Sequence, residues 1–568
     1  MKASCSCFAV LFLFAGQSAE AQMRALFDER VPMRDGVELS ADVWLPAAEG
    51  NFPAILLRTP YLKAPQFGRY ALEYFVQHGY AVVLQDVRGR GDSDGEFDFY
   101  FGEGEDGYDT IEWIAQQAWS SGDVGMSGGS YLGTVQWLAA RERPPHLRCI
   151  IPTAASGRLF DELPYLGGGF RLGWALEWLN DVSGRASQGP STAALDRAAI
   201  VAHRPLLTMD EFMGRRMPLW KAFLEHPTLD DFWAPIAYSA DNFAQVDIPV
   251  LTVTGWFDGD QPGALFYWDG MNAHNPGNRE HYLVIGPWEH ANTYLGGALE
   301  VGEMTLAPQS VLPIQEVRRK FFDYCLKKSE PSFSAPQARA YVTGAEVWRE
   351  FDAYPALEIE YTPLYLHSGG GANSLDGDGT LSWNEPVGEA VDSFTYDPKN
   401  PVPAGGHATD QRPVQSREDV LVYTTGILEE AVEIVGRVFV ELHAASDALD
   451  TDFMAKIQDV YPDGSAIALG PVAAGVRRAR YRNGYEKTEL LTPNNPELFE
   501  IELFDIGHAF LPGHRIRIEI SSSAFPLVNP NQNTGNPVAT DTEWQVANQT
   551  IFHDRRRPSH VLLPILPR

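Results

Sequence analysis

The sequence predicts an α/β chain with three parts: a mostly parallel sheet flanked by helices, a helical insertion into it, and a carboxy-terminal β sandwich or jelly roll. Short β-rich runs such as "PAILLRT" and "YAVVLQD" alternate with helical stretches such as "GYDTIEWIAQQAW" up to about residue 155, and the alternation resumes at "PVLTVTGW". This alternation is typical of right-handed crossovers, which build parallel sheets. From about residue 345, alternating segments such as "RVFVELHA" replace the helical periodicity.

These changes in periodicity divide the chain into segments. The interval between the two α/β stretches carries Gly, Trp and Leu at helical spacing, which predicts a helical cap. Asp35-Gly36 joins two alternating runs and predicts a hairpin, while Pro462-Asp463-Gly464 and Pro512-Gly513 predict turns in the last segment. The predicted segments are a signal peptide (1–21), the first segment of the α/β core (22–155), the cap (156–242), the second segment of that core (243–344) and the β domain (345–568).

The first 21 residues have the pattern of a secretory signal. Lys2 precedes an apolar run from Phe8 to Ala15, and Ala19-Glu20-Ala21 matches an A-x-A cleavage site. The mature chain is therefore expected to start at Gln22 and to be periplasmic or secreted. No later stretch approaches the ~20 apolar residues of a membrane span, so no membrane association is expected.

Two cysteines remain after the predicted cleavage, because Cys5 and Cys7 would leave with the signal. Cys149 lies in the apolar run "CIIPTAA" and Cys325 in the helical "RRKFFDYCLKK". Two cysteines in an exported chain can form a bridge. Their apolar context instead favours two small buried thiols, and two free thiols are therefore expected.

Charge and motif content exclude several function classes. A net charge of −31 argues against nucleic acid as a partner, because phosphate binding needs clustered cations. The histidines lack the spacing of a zinc site, and the acidic "DVRGRGDSDGEFD" lacks the ligand pattern of an EF-hand, so it is predicted to be a structural loop. Neither a metal nor a cofactor is expected.

An acid and a base follow two of the predicted parallel strands. Asp258 comes directly after "PVLTVTGWF", and His290 comes directly after "HYLVIGPWE". Ligands of open parallel sheets meet the carboxyl ends of the strands, so these two side chains are expected at one edge. His281 lies at the amino end of its strand and is therefore a poor partner.

The stretch "GDVGMSGGSYLG" offers two serines as nucleophile. Ser127 lies in a literal G-x-S-x-G. If Ser127 were the nucleophile, however, the following helix would begin with two glycines, which each cost roughly 1 kcal/mol in a helix interior. Ser130 lies at the strand-to-helix corner, where a nucleophile elbow needs its serine. The sequence therefore predicts Ser130 as nucleophile and Ser127 as a strand-end residue.

The order Ser130, Asp258, His290 is that of α/β-hydrolases. In that arrangement the histidine takes the serine proton and the acid orients the imidazole. The residues therefore predict a hydrolase that works through an acyl-enzyme.

The chain resembles the family of serine hydrolases that includes cocaine esterase, α-amino-acid ester hydrolases and X-Pro dipeptidyl-peptidases. Matching stretches run along almost the whole mature chain: "LLRTPY", "QDVRGRGDSDGEF", "GGSYLG", "GWFDGD", "GPWEH" and "HDRRRPSHVLLPI". The resemblance implies an α/β-hydrolase core with a helical cap and a carboxy-terminal jelly roll. It also implies that Ser130, His290 and Asp258 are the catalytic residues, with an oxyanion hole formed by the Tyr61 hydroxyl and the Tyr131 amide.

Substrate recognition stays open at the sequence level. In the α-amino-acid ester hydrolases of this family, clustered acids bind the substrate ammonium; here Asp260 matches one, and Asp161 or Glu162 is a candidate for the cap member. Gln261 stands where another acid is expected, which argues against that specificity. Trp174 is a candidate wall of the acyl pocket, although its helical spacing is more typical of cap core.

The leading hypothesis is an exported serine hydrolase that cleaves the ester or amide bond of a small acyl substrate, with no cofactor. An X-Pro dipeptidyl-peptidase is the alternative within enzymes; it is disfavoured because the chain carries no large amino-terminal domain of the kind those relatives have. A carbohydrate-binding protein with an inert core is the alternative from another class, and the complete Ser-Asp-His set argues against it.

Overall fold

The computed structural model describes residues 23–63, 69–187, 196–329, 331–388, 390–471 and 474–567. The predicted signal peptide and the predicted mature terminus at Gln22 lie outside these residues. Among the described residues, no helix is both long and apolar enough to cross a membrane.

Strands of the amino-terminal region form a central sheet. In chain order they are β1 (Arg24–Pro32), β2 (Glu38–Leu45), β3 (Phe52–Thr59), β4 (Ala81–Asp86), β5 (Ser120–Gly129), β6 (Leu147–Thr153), β7 (Tyr165–Leu166), β8 (Gly169–Phe170), β9 (Val250–Phe257), β10 (His281–Glu289), β11 (Glu300–Val301), β12 (Met304–Thr305), β13 (Ala338–Val342) and β14 (Val347–Phe351). Within the described ranges, ten of them join in the order β1-β2-β4-β3-β5-β6-β9-β10-β13-β14, while β7-β8 and β11-β12 are small separate pairs.

The sheet is parallel in its centre, as the strand-helix alternation predicts. Strands β4, β3, β5, β6, β9, β10 and β13 run parallel to one another, so the carboxyl ends of β3, β5, β9 and β10 meet at one edge. The predicted hairpin at Asp35-Gly36 is confirmed, because β1 and β2 pair antiparallel on either side of it. Strand β14 pairs with β13, so the sheet extends past the predicted boundary at residue 344.

Helices cover both faces of this sheet. The helices of the described chain are α1 (Arg69–Gln77), α2 (Glu103–Ala115), α3 (Tyr131–Arg141), α4 (Leu172–Trp174), α5 (Asn180–Val182), α6 (Arg197–Ala202), α7 (Met209–Phe212), α8 (Pro218–Glu225), α9 (Ala240–Ala244), α10 (Gln261–His274), α11 (Asn292–Leu295), α12 (Ile314–Cys325) and α13 (Arg412–Gln415). Apolar residues of α2, α3 and α10 pack on one face and those of α1 and α12 on the other. Adjacent strand residues such as Val82 and Val83 enter opposite clusters, as the pleat requires.

The expectation of two free buried thiols is wrong. Cys149 of β6 and Cys325 of α12 form a disulfide, with Cα atoms 6.3 Å apart. Both residues are buried in the apolar cluster between the sheet and α12, where Phe322 and Ile151 are neighbours. Their apolar surroundings were therefore correctly predicted, but the crossing of α12 over β6 brings the two sulfurs together.

The chain between β6 and β9 forms a helical layer above the carboxyl edge of the sheet. It contains β7, β8 and helices α4 to α9; Leu172 to Val182 is one helical run whose middle turn, Ala175–Leu179, is a π-helix. Its core is aromatic and includes Phe170, Trp220 and Trp233, all fully buried. Tyr131 of α3 joins the same cluster, so the insertion rests on the serine-bearing helix.

The carboxy-terminal region is rich in β-structure. Its strands are β15 (Glu360–His367), β16 (Thr380–Ser382), β17 (Asp392–Tyr396), β18 (Leu421–Thr424), β19 (Val432–Ser446), β20 (Asp452–Val460), β21 (Ala466–Leu469), β22 (Gly475–Arg478), β23 (Glu497–Phe510), β24 (Arg515–Ser521), β25 (Ala547–Asp554), β26 (Arg557–Pro558) and β27 (His560–Ile565). The long strands β19 and β23 pair antiparallel. Pro462-Asp463-Gly464 and Pro512-Gly513 lie between paired or successive strands, as predicted. The jelly-roll assignment stays a prediction.

Candidate active site

Ser130 lies at the corner between a strand and a helix. Strand β5 ends at Gly129 and helix α3 begins at Tyr131, so Ser130 alone makes the turn, with φ 59° and ψ −127°. This is a region that residues with a side chain rarely adopt. Its amide donates to the Thr153 carbonyl at 3.0 Å, which ties the corner to β6. Ser127 is buried within β5 opposite Ile151, as predicted for a strand residue.

Glycines beside Ser130 make this corner possible. A Cβ on Gly128, which has φ 131°, would lie 2.5 Å from the Cβ of Leu132. A Cβ on Gly129 would lie 1.9 Å from the ring of Tyr294. Both distances are shorter than any van der Waals contact, so the two glycines that spoil a helix start at Ser127 are required by the corner at Ser130.

Asp258 and His290 form a hydrogen-bonded pair at the same edge. Asp258 follows β9 and His290 follows β10, and Oδ1 of Asp258 lies 2.7 Å from Nδ1 of His290. The carboxylate is fully buried and also accepts from the Thr254 hydroxyl at 2.9 Å and the Asp260 amide at 3.0 Å. Three donors therefore hold the acid in one orientation toward the imidazole.

Electrostatics favour a positive charge on this imidazole. Burial lowers the pKa of His290, but the charge and hydrogen bond of Asp258 and the charge of Asp260 outweigh it and raise the pKa to about 9. Oδ2 of Asp260 is 4.0 Å from Nδ1 of His290. An imidazole stabilised as a cation is suited to receive a proton from a neighbouring hydroxyl.

Tyr61 follows β3 and faces Ser130 from the neighbouring strand. Its hydroxyl accepts from Nε1 of Trp178 at 2.9 Å. Burial raises the pKa of Tyr61 to about 12, so the hydroxyl keeps its proton near neutral pH. Because Trp178 occupies the oxygen as a donor, the Tyr61 proton is available to an acceptor beside Ser130.

Tyr131 contributes its backbone amide, not its side chain, to the site around Ser130. Its side chain points away from Ser130, and its hydroxyl lies within hydrogen-bonding distance of the Phe99 carbonyl and the Glu103 carboxyl group. Its amide is the first of α3, and the first amides of a helix have no acceptor within the helix. The amide is therefore placed to bind an anion that forms beside Ser130.

Tyr294 is a site residue that the sequence reasoning missed. It lies on α11, one helical turn after His290, and its hydroxyl is 3.0 Å from Nε2 of the imidazole. Its ring packs beside the Ser130 corner, in the space left by Gly129. The sequence signal for this contact was the spacing of four residues between His290 and Tyr294. That spacing brings two side chains together only in a helix, and the helix here was not predicted.

Two of the three predicted recognition acids lie together. Asp260 is nine-tenths buried and near both His290 and Glu162. Glu162 is almost fully buried, and its carboxyl accepts from the amides of Gly157, Arg158 and Gly263. Burial raises the pKa of both acids, and the charge of Asp260 raises that of Glu162 further.

Asp161 and Gln261 are directed elsewhere. The Asp161 carboxylate pairs with Arg158 and accepts from the Tyr485 hydroxyl at 2.7 Å, so it belongs to a contact with the carboxy-terminal region. Gln261 is fully buried, and its amide donates to the Asp505 carbonyl at 2.8 Å and accepts from the Asp505 amide at 3.3 Å. Neither side chain is available to a ligand beside Asp260.

Arg171 is a second residue that the sequence reasoning missed. This buried guanidinium donates to the Glu162 carbonyl at 2.9 Å, and its charge lowers the pKa of Asp260 and of His290. Its Nε has no hydrogen-bond partner among the described residues. Trp174 stacks on Trp178 with ring centroids 5.2 Å apart, so it supports the residue that binds Tyr61.

The portion of the chain that the structure describes contains no group of side chains arranged as metal ligands. There, no group of three or more His, Cys, Asp or Glu side chains is placed to hold a metal ion.

Fold and site together define an α/β hydrolase. Residues 35–292 match the profile of the X-Pro dipeptidyl-peptidase (S15 family), and residues 332–562 match that of the X-Pro dipeptidyl-peptidase C-terminal non-catalytic domain. The chain is 36% identical to cocaine esterase of Rhodococcus sp. (strain MB1 Bresler), over 95% of this chain and 98% of that protein. It therefore belongs to the S15 family of hydrolases that includes cocaine esterase.

Two solved structures are similar over nearly the whole chain. An aminopeptidase from a marine sediment archaeon, Thaumarchaeota archaeon, has a TM-score of 0.87 and 26% identity, covering 99% of both chains. An α-amino-acid ester hydrolase has a TM-score of 0.86 and 27% identity, covering 99% of this chain and 98% of that one. The arrangement of a hydrolase core followed by a β-rich domain is thus shared.

Strain at the corner can be measured by replacing Ser130. Ser130→Gly and Ser130→Ala remove the same hydroxyl, but only glycine adopts φ 59° and ψ −127° without strain. Glycine relieves the backbone strain in the folded protein, but it also makes the unfolded chain more flexible, which opposes folding. The balance should leave Ser130→Gly more stable than Ser130→Ala by on the order of 1 kcal/mol. Urea unfolding of the two variants tests this; an alanine variant as stable as the glycine variant would show that the corner is unstrained.

Proposed function

We propose that this protein is an exported serine hydrolase that cleaves esters or amides of small acyl groups through an acyl-enzyme on Ser130. The convergence of the Ser130 corner and the Asp258–His290 pair at one sheet edge carries the proposal. Similarity to cocaine esterase supports an ester substrate, since the name of that relative describes an esterase.

Acylation would use Ser130 and His290. The Ser130 oxygen attacks the substrate carbonyl carbon while its proton passes to Nε2 of His290. Asp258 holds Nδ1 and stabilises the imidazolium that results. The imidazolium then returns its proton to the leaving group, the bond to that group breaks, and water repeats the sequence to release the acid.

Tyr61 and Tyr131 would stabilise the oxyanion that forms in each step. The Tyr61 hydroxyl and the Tyr131 amide approach Ser130 from β3 and from α3 respectively. Such donors act at the charge that develops in the transition state, and the loss of one typically costs about 10²–10³ in rate.

Asp260 would recognise a positive charge on the acyl group. It lies beside His290, within the site, and Glu162 adds a second acid behind it. Structural similarity to an α-amino-acid ester hydrolase and to an aminopeptidase supports an α-amino-acyl group. Arg171 opposes this recognition with its own charge, so an ammonium is expected to favour binding rather than to be required.

Cleavage after X-Pro is a second candidate activity. The match to the X-Pro dipeptidyl-peptidase profile over residues 35–292 favours it. Such a substrate would place its free amino terminus near the same acids and release a dipeptide through the same acyl-enzyme. Activity on an X-Pro nitroanilide that exceeds activity on esters would select this candidate.

The disulfide supports export. A bond between Cys149 and Cys325 persists in oxidising compartments and is rare in the cytosol. Together with the A-x-A pattern that ends at Ala21, it favours a periplasmic or secreted location.

Fluorophosphonate labelling tests the nucleophile. Wild-type protein and Ser127→Ala should carry the adduct on Ser130, and Ser130→Ala should lose both label and activity, as peptide mapping by mass spectrometry would show. The labelling rate should rise with pH through the pKa of His290, near 9, because only the neutral imidazole accepts the serine proton. An adduct on Ser127, or no adduct on active protein, contradicts the assignment.

Paired substrates test recognition by Asp260. Phenylglycine methyl ester should have a higher kcat/KM than its des-amino analogue, and Asp260→Asn should lower that ratio about tenfold, because a charge-assisted hydrogen bond contributes about 1.5–3 kcal/mol. Asp269→Asn, which removes a carboxylate on α10 beside Arg437, is the control and should leave the ratio unchanged. Equal rates on the two esters in wild-type protein would rule out ammonium recognition.

Processing in a Gram-negative host tests export. Mass spectrometry of the periplasmic protein should give an amino terminus at Gln22 and no free thiol on Cys149 or Cys325. Ala19→Arg should block cleavage, because small residues are needed at this position of the site. A chain that keeps Met1 and stays in the cytosol would refute export.

A further inference from the structure

The stretch "DVRGRGDSDGEFD" forms the loop between β4 and α2, and this loop lies against the segment that carries Tyr61. Strands β3 and β4 are parallel neighbours, with Thr59 opposite Asp86, so the chain leaves both strands at the same edge of the sheet. The amide of Val87 donates to the Thr59 carbonyl at 3.0 Å. The contact between the two segments therefore begins at the first residue after β4.

Arg90 of this loop holds the chain immediately before Tyr61. Its side chain is fully buried, and its Nε donates to the Pro60 carbonyl at 2.6 Å. The same guanidinium donates from Nη1 to the Val182 carbonyl at 2.9 Å and from Nη2 to the Asp181 carbonyl at 3.4 Å. A buried guanidinium has lost its hydration, so these carbonyls have to replace the lost hydrogen bonds. The three backbone segments are therefore held together by one side chain.

The carbonyls of Asp181 and Val182 lie at the end of the helical run over residues 172–182, which carries Trp178. The last carbonyls of a helix have no partner within the helix, and the helix dipole favours a cation beside them. Trp178 itself donates to the Tyr61 hydroxyl at 2.9 Å. Arg90 thus holds both the backbone before Tyr61 and the helix whose tryptophan binds the Tyr61 hydroxyl.

Asp86 holds the chain on the other side of Tyr61. Its carboxylate is almost fully buried; Oδ1 accepts from the Lys63 amide at 2.6 Å, and Oδ2 accepts from the Asp92 amide at 3.1 Å. A Cβ on Gly91, which has φ 50°, would lie 2.0 Å from Oδ2, so the loop needs glycine there to wrap around the carboxylate. Tyr61 therefore lies between two anchored points, one residue before it and two residues after it.

We propose that Arg90 and Asp86 are positioning residues that set the Tyr61 hydroxyl at the oxyanion. This inference rests on the proposed function, in which Tyr61 donates to the oxyanion of each acyl-enzyme step. Asp86 acts through the backbone after Tyr61, and Arg90 acts through the backbone before it and through the helix of Trp178. A donor of this kind is effective only at the place where the charge develops, and a displacement of about 1 Å can lower a rate by about 10²-fold.

The inference predicts that the effect of either anchor depends on the Tyr61 hydroxyl. Loss of an anchor is costly only while the protein has a hydroxyl that can be misplaced. Arg90→Lys should therefore lower the rate of the protein that has Tyr61 and change the rate of Tyr61→Phe very little. Structural damage that is unrelated to Tyr61 would lower both rates by the same factor. A double-mutant cycle over the two positions separates positioning from structural support.

Arg90→Lys keeps the positive charge but replaces the guanidinium fork by one nitrogen, which cannot hold the Pro60 and Val182 carbonyls together. Its kcat on phenylglycine methyl ester should fall about tenfold, less than the loss of about 10²–10³ for a missing oxyanion donor, and its KM should change by less than about twofold. In Tyr61→Phe the same substitution should lower kcat by less than about twofold, because no hydroxyl is left to misplace. Rates are expressed per Ser130 labelled to completion by fluorophosphonate, so that misfolded protein is not counted.

Arg88→Lys is the matched control, because Arg88 belongs to the same loop but binds Asp106 and Asp35. It should leave kcat unchanged in both backgrounds. Asp86→Asn keeps an acceptor for only one of the two amides that the carboxylate binds, and its kcat should fall about three- to fivefold with the same dependence on Tyr61. This second variant tests the inference even where Arg90→Lys does not fold.

The outcomes for the two proposals differ. Equal losses of kcat in the two backgrounds, or an unchanged kcat of the anchor variants in the protein that has Tyr61, overturn the positioning role alone. A Tyr61→Phe enzyme with undiminished kcat would instead overturn the role of Tyr61 in the proposed function, and the positioning role with it. Absence of labelling at Ser130 in active wild-type protein would overturn the acyl-enzyme itself.

Discussion

The geometry of the site depends on the hydrogen bonds of one buried carboxylate, that of Asp258. Burial of an unpaired charge is costly, so the surrounding chain has to supply donors. Here the donors come from Thr254 within β9, from the amide of Asp260 at the start of α10, and from His290 after β10. The orientation of the acid therefore fixes two strands, one helix start and the imidazole relative to one another.

The serine side of the site is fixed by packing rather than by charge. Ser130 holds an unfavourable backbone conformation because its neighbours leave no alternative: Thr153 binds its amide, and the space beside Gly128 and Gly129 is filled by Leu132 and Tyr294. Strain of this kind persists where the surrounding structure over-determines it. The corner and the acid–base pair meet because parallel strands end at a common edge.

Strand-end positions made Ser130, Asp258 and His290 predictable, because the rule for open parallel sheets needs only element order and polarity. Tyr61 was named only through the family resemblance. Contacts between distant elements were not predictable in this way. The crossing of α12 over β6 that joins Cys149 to Cys325 leaves no trace in local periodicity. The same holds for Asp161, which the family resemblance suggested as a ligand for the substrate ammonium and whose actual partners are Arg158 and Tyr485.

Gln261 shows why one departure from the family pattern is informative. Its amide both donates to and accepts from the backbone of Asp505 on β23. A carboxylate at this position could accept from the Asp505 amide but would face the Asp505 carbonyl without a proton to donate. Glutamine can therefore form both hydrogen bonds to the backbone of the β domain, and an ionised acid could form only one. Gln261 thus stabilises the contact between the core and the β domain. Recognition of a positive charge is left to Asp260, with Glu162 behind it and Arg171 opposing it.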